Sequence, residues 1–286
     1  MSTEKNLSKK LLDIFKEKKY EEAENFAKFI LKKYFKNQVS LKILSFISYN
    51  KKNYKEALNY NLKLLKINNK DSEIFFNLGN IFSILGDTNN ALENYKEAIN
   101  LKNNYYQAYN NLGLVLKKKG KLNESELIFR KAIDLKSDYY QAVNNLGNTL
   151  KDLDRLDEAE LIFKKAIELN PKFIHAYINL GIVLSETLKF ELAEKCYKKV
   201  LKIDPNIPEA YNNLGLIYKF TGRIKEAEIN YRIAIKLKND YAEAYRNLCD
   251  IKFFEKKDND FFSIKKLIDE KYLSNTQKSD LSFAIA

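Results

Sequence analysis

The chain repeats itself every 34 residues. Leu-Gly returns as Leu78-Gly79, Leu112-Gly113, Leu146-Gly147, Leu180-Gly181 and Leu214-Gly215, and the series closes on Leu248-Cys249. A second series in the same register is small: Ala23, Ala57, Ala91, Ser125, Ala159, Ala193 and Ala227. A third is aromatic: Tyr95, Phe129, Phe163, Tyr197 and Tyr231. Such a period marks a stack of supersecondary units, none of which buries its apolar face alone.

The breaker residues obey the same period. All eight glycines fall in two slots. Gly79, Gly113, Gly147, Gly181 and Gly215 sit within a predicted first helix, and Gly86, Gly120 and Gly222 lie seven residues later, where that helix ends. A mid-helix glycine costs roughly 1 kcal/mol against alanine, so its regular return calls for the close approach of a neighbouring helix. The later glycine suits the left-handed position just past a helix end. Pro171, Pro205 and Pro208 stand at junctions between units, where helices stop or start. Each unit therefore reads as helix, tight turn, helix. In one of them the spacing predicts helices over 140 to about 153 and over 156–169, with apolar Val143, Leu146 and Leu150, then Ala159, Phe163 and Ala166, at three- and four-residue intervals.

This pattern resembles the tetratricopeptide repeat. In one unit it reads Val143, Leu146-Gly147, Leu150, Ala159, Phe163, Ala166 and Pro171. In another it reads Tyr211, Leu214-Gly215, Tyr218, Ala227, Tyr231 and Ala234, with Asn239 in place of the proline. The resemblance implies an all-α, right-handed α-solenoid of antiparallel helix pairs over 38–249, with a degenerate helical cap over 1–37 and capping helices over 250–286. The unit over 38–71 already departs from the pattern, with Ser45 in the glycine slot.

Repeats of this family bind ligands on the wall lined by their first helices, and there the slot before the repeated Leu holds Asn77, Asn111, Asn145, Asn179, Asn213 and Asn247. A primary amide both donates and accepts, so it can pair with a peptide backbone whatever the side chains are. First helices about 8–10 Å apart would meet every third residue of a chain that advances roughly 3.3–3.6 Å per residue. The row resembles the asparagine ladder of the tetratricopeptide region of O-linked N-acetylglucosamine transferases, which implies an extended peptide or partner protein as ligand. Asn80 and Asn148, one turn beyond ladder members, and Asn110, Asn144 and Asn212, immediately before others, add polar groups to the same face. The other reading of the row is that each amide bonds to a neighbouring helix. The carboxylate clamp of chaperone-binding relatives is not expected: the pairs at its positions are Lys42 with Phe46, Phe76 with Asn80, and Asn110 with Leu114. Lys117, Lys151 and Lys219, late on first helices, read either as steering acidic partners or as solvated helix ends.

No catalytic constellation is evident. His175 is the only histidine, no Gly-rich phosphate loop remains once the glycines are placed, and Glu158, Glu194 and Glu226 read as a solvated helix face. No metal or cofactor is expected, and no enzyme activity. The balance of 50 basic to 38 acidic residues invites nucleic acid as a partner, but the lysines form no block, so nucleic acid is not the expected ligand. The segment 1–10 lacks the apolar core of a signal peptide, no apolar run is long enough for a membrane span, and Cys196 and Cys249 suit reduced, buried thiols. A cytoplasmic protein is the expectation.

Beyond Asn247 the first helix is expected to continue over 251–257, followed by a covering helix over 261–270 that carries Phe262, Ile264, Leu267 and Ile268. Ser274 and Gln277 make a capping box for a last helix over 280–286, an exposed apolar stub. Leu281-Ser282-Phe283-Ala284 matches a segment at the junction of bacterial tetratricopeptide–sulfotransferase fusions. That implies an alternative function, the substrate-recruiting arm of a sulfotransferase or glycosyltransferase whose catalytic domain lies beyond this chain.

Overall fold

The computed structural model of the chain describes residues 2–251, 259–269 and 275–284, and every regular element among them is an α-helix. The chain divides into two compact units, 1–149 and 150–286. In the first, α1 (Ser2–Lys16) pairs with α2 (Tyr20–Lys33), α3 (Gln38–Asn50) with α4 (Tyr54–Ile67), α5 (Ser72–Ile84) with α6 (Thr88–Leu101), and α7 (Tyr106–Lys118) with α8 (Leu122–Leu135); α9 (Tyr140–Asp152) runs across the division. The second continues with α10 (Leu156–Leu169), the pair α11 (Ile174–Glu186) and α12 (Phe190–Ile203), the pair α13 (Pro208–Phe220) and α14 (Ile224–Leu237), then α15 (Ala242–Cys249), α16 (Asn259–Ile268) and α17 (Asn275–Ala284). Each unit is a stretch of α-solenoid. Within each, first helices touch first helices of the next pair: α1 meets α3 and α5 meets α7, while α11 meets α13 and α13 meets α15. One face of each unit is thereby lined by first helices alone.

The three sequence series meet inside the hairpins α5–α6, α7–α8, α11–α12 and α13–α14. The glycine of the first helix lies beneath the aromatic ring of the second. A Cβ on Gly79 would stand 2.6 Å from the Tyr95 ring and one on Gly113 2.7 Å from Phe129; in the second unit, one on Gly181 would stand 2.6 Å from Tyr197, and Gly215 is pressed still closer to Tyr231. No side chain fits in that space. The neighbouring helix expected from the sequence comes close, and the part of it that crowds the glycine is an aromatic ring. The repeated alanines, among them Ala57, Ala91, Ala193 and Ala227, are fully buried. Ser125 takes the alanine slot without leaving a polar group unmet, because its hydroxyl donates to the Gly113 carbonyl at 2.8 Å.

The tight turn recurs as strictly as the rings do. The left-handed position falls on Lys18, Lys52, Gly86 and Gly120, and in the second unit on Asp154, Leu188 and Gly222, with φ between 58° and 83°. These positions are 34 residues apart, so the first hairpin keeps the geometry of the repeat although its sequence keeps little beyond Ala23. Asn37 fastens that hairpin to the next: its Oδ1 caps α3 by accepting from Ser40 N at 2.9 Å, while its Nδ2 lies 2.9 Å from both Glu4 Oε1 and Ser8 Oγ on α1.

The C-terminal expectations need correction. The first helix is not continuous past Cys249, where α15 ends, and Ile251 is already a turn; the rest of the expected continuation lies outside the described residues. The covering helix exists, and Ile264 and Leu267 on α16 pack with Ala242 and Tyr245 of α15. Phe262 does not join them and is 58% exposed. The last helix is no exposed stub either, since it starts at Asn275 and Leu281 is buried in the same cluster; Ser274 and Ile285 lie outside the described residues.

A branched side chain such as that of Leu188 is ill suited to a left-handed turn, a conformation that costs an L-residue roughly 1–2 kcal/mol, and its side chain is 73% exposed, so little packing offsets the cost. Leu188→Gly is expected to stabilise the second unit by about 1 kcal/mol, and Gly222→Ala to destabilise it by a similar amount. Urea unfolding of both variants checks this. A loss of stability in Leu188→Gly would refute it.

Candidate functional site

The sequence-predicted asparagines lie on the first-helix faces, three of the row on each unit. Asn77, Asn111 and Asn145 stand on α5, α7 and α9, and Asn179, Asn213 and Asn247 on α11, α13 and α15. They are less exposed than a free ladder requires. The first five are half-buried and Asn247 is 3% exposed; Asn110, Asn144 and Asn212 are buried, while Asn80 and Asn148 are half-buried.

Their amides are engaged with one another across hairpins. In the first unit Asn145 Nδ2 donates to Asn110 Oδ1 at 2.9 Å, Asn110 Nδ2 to Asn111 Oδ1 at 3.0 Å, and Asn111 Nδ2 to Asn80 Oδ1 at 2.8 Å. The Tyr95 hydroxyl donates to the same Asn80 oxygen at 2.8 Å; burial raises its pKa well above the ordinary phenol value, so it stays protonated as a donor. In the second unit Asn247 Nδ2 donates to Asn212 Oδ1 at 2.9 Å, and Asn212 Nδ2 to Glu243 Oε1 at 3.3 Å. Asn145 to Asn110 and Asn247 to Asn212 are the same contact in two places, each spanning 35 residues. The row thus has a structural use that sequence reasoning held open, bonding first helix to first helix. It does not use up the groups. Asn111 commits one of two N–H bonds and one of two lone pairs to these contacts.

Two of the lysines on these faces, Lys42 and Lys219, are paired. Lys42 is held by Asp71 at 2.9 Å and Glu73 at 3.2 Å, and Lys219 by Asp250 at 2.9 Å, so neither is the unbound cation that sequence reasoning offered to acidic partners or a clamp. The glutamates read as a solvated face are ion-paired at the surface, with Glu158 and Glu226 about half exposed. Glu158 and Glu226 bind Arg155 and Arg223, the residues just before the start of their own helices, and Glu194, on α12, binds Lys198 at 2.6 Å and reaches Arg223 at 3.0 Å. His175 is exposed at the start of α11, edge-on to Phe173. Among the described residues no group of His, Cys, Asp and Glu is arranged to hold a metal, and no helix is long and apolar enough to cross a membrane. Cys196 is buried, which pushes its thiol to about 11, and Cys249 is half-buried; neither forms a disulfide.

Comparisons with known proteins agree with this geometry. Profiles of the tetratricopeptide repeat match 106–139, 140–173 and 208–241, and a further profile described as TPR repeat matches 79–120 and 189–222, together just over half of the chain. No curated protein matches. Among solved structures, a tetratricopeptide repeat protein from Parabacteroides merdae superposes with a TM-score of 0.69 at 20% identity, covering 87% of this chain and 98% of its own. MamA superposes at 0.53 with 25% identity over 60% of this chain and 94% of its own. YrrB, described as a TPR protein with an unusual peptide-binding site, superposes at 0.52 with 24% identity over 64% and 95%.

Because Asn247 closes a buried contact, Asn247→Ala leaves the Asn212 carbonyl unmet and is expected to cost about 1–3 kcal/mol. Asn77→Ala, at a half-buried position, is expected to stay within about 0.5 kcal/mol of wild type. Equal losses in chemical unfolding would contradict this division of the row.

Proposed function

The chain belongs to the tetratricopeptide repeat family, and we propose that it is a protein-interaction scaffold whose first-helix faces grip an extended segment of a partner through the asparagine amides. The observation that carries the reading is the half-used row. Asn77, Asn111, Asn145, Asn179, Asn213 and Asn247 place primary amides at one slot of successive first helices. The bonds that Asn111, Asn145 and Asn247 make to Asn80, Asn110 and Asn212 fix their amide planes, and a primary amide has more donors and acceptors than one such bond uses. Preorganised amides lower the ordering cost of binding. The peptide-binding site named for YrrB lies on a protein of the same fold, which supports a peptide as ligand here. Lys42, the one lysine at a carboxylate-clamp position, is held by Asp71 and Glu73, which favours backbone gripping over recognition of a terminal carboxylate. The reading assigns the chain binding without chemistry of its own, and the two unbridged thiols suit a cytoplasmic setting.

A second reading, the substrate-recruiting arm of a sulfotransferase or glycosyltransferase, rests on Leu281-Ser282-Phe283-Ala284 alone. It uses the same grip and differs only in what the bound chain is delivered to.

The test is a peptide selected from a random library on the full chain, then titrated against wild type and against Asn77→Ala, Asn111→Ala and Asn213→Ala, with a melting curve for each variant. Each lost amide bond is worth roughly 0.5–1.5 kcal/mol. Binding is therefore expected to weaken about threefold to tenfold per contacted position while helicity is retained. Affinity unchanged in all three variants would remove the row from the binding site.

A further inference from the structure

The hairpin of α3 and α4 lacks the ring over glycine that closes α5–α6, α7–α8, α11–α12 and α13–α14; in the hairpin of α1 and α2 the same two slots hold Leu11 and Ala27, both buried. One period before Gly79 and Tyr95 stand Ser45 and Asn61. In the next hairpin the Tyr95 ring fills the space over its glycine, and the opening lined by Asn80, Ser83, Tyr95 and Asn111 measures about 170 Å³. At the ringless position the equivalent opening between α3 and α5, floored by α4, measures about 310 Å³. It is walled by Phe46, Tyr49, Ile74 and Ile81, with Asn61 and Leu64 of α4 beneath.

Asn61 gives this pocket a chemical demand. Its side chain is 1% exposed, and its Nδ2 donates to the Ala57 carbonyl at 2.9 Å and to the Ser45 hydroxyl. A backbone carbonyl only accepts, so the nitrogen is fixed on that side. That leaves Oδ1 as a buried acceptor that no donor among the described residues reaches. An unmet acceptor of this kind costs roughly 1–3 kcal/mol, which an incoming donor recovers. The wall carries no free charge, since Lys42 is held by Asp71 and Glu73. Its ligand is therefore neutral, aromatic in shape and equipped with a hydrogen-bond donor at its far end. Asn77 and Asn80 stand on the pocket's rim as well as on the asparagine face, so backbone entering the pocket is flanked by amides.

We propose that this pocket receives a tyrosine side chain from a bound partner segment, supplying in trans the phenol that the hairpin lacks in cis, with its hydroxyl donating to Asn61 Oδ1. The partner's being an extended peptide rests on the proposed function above; the preference for a phenol rests on the pocket alone.

The test separates the two by using p-cresol, the tyrosine side chain without a backbone, and toluene, the same ring without the donor, in amide-resolved NMR titrations of the full chain. The expected result is that p-cresol shifts the amides of Ser45, Asn61, Leu64 and Ile81 and binds about tenfold more tightly than toluene, the worth of one recovered hydrogen bond. Asn61→Leu keeps a pocket of similar size but removes the acceptor, so the two probes are expected to bind alike. The double variant Ser45→Gly with Asn61→Tyr restores the glycine and ring of those four hairpins; it is expected to melt no lower than wild type and to bind neither probe. Toluene binding as tightly as p-cresol to wild type, no response of these amides to millimolar p-cresol, or full p-cresol binding by the folded double variant would each overturn the proposal. None of those results touches the asparagine row. Conversely, a peptide indifferent to every asparagine substitution, with p-cresol still bound, overturns the row and leaves the phenol site standing.

Discussion

An aromatic ring seated on a helical glycine closes the hairpins, and much else in the fold follows from it. The ring can descend only where the first helix has no Cβ, and this accounts for glycine's return inside a helix at a propensity cost of roughly 1 kcal/mol. The buried alanine series lets the second helix come near enough for the contact. With each hairpin closed, the remaining apolar stripes face the next hairpin, and stacking is the way to bury them. The first helices then come together on one face of each unit, and the asparagines are carried there with them.

Much of this was legible because it is periodic. The glycine, alanine and aromatic series, the turn glycines and the proline junctions each named an element, and the helices over 140–152 and 156–169 fell within a residue of expectation. The partner of the glycine was less legible, because periodicity reports that something is close without saying what. The turns at Lys18, Lys52, Asp154 and Leu188 were hidden because none is glycine, although their spacing was there to be counted. The C-terminal helices were misplaced at their ends, and Phe262 was assigned to the core when it is exposed, because outside the repeat only local patterning remained to guide the reading.

The asparagine row shows how far sequence reaches toward function. Its position was evident, but its state was not: whether an amide faces solvent or bonds to its neighbour depends on side-chain geometry at a few tenths of an ångström. The structure finds Asn111, Asn145 and Asn247 bonded across hairpins, so the groups proposed for recognition also hold the hairpins together. The pocket at Asn61 arises in the opposite way, where the period fails. A residue that breaks a repeat's own rule and leaves a buried acceptor unmet marks a place where the solenoid differs from a mere stack.

The central claim, that ring and glycine form one coupled contact, is tested most directly by a double-mutant cycle on Gly113 and Phe129, read by chemical unfolding. Helix propensity alone would make Gly113→Ala stabilising by up to about 1 kcal/mol. The ring contact predicts instead a loss of roughly 1–3 kcal/mol from overpacking, largely cancelled when Phe129→Leu makes room, with a coupling of at least about 0.5 kcal/mol. A stabilising Gly113→Ala, or strictly additive effects of the two substitutions, would contradict the account.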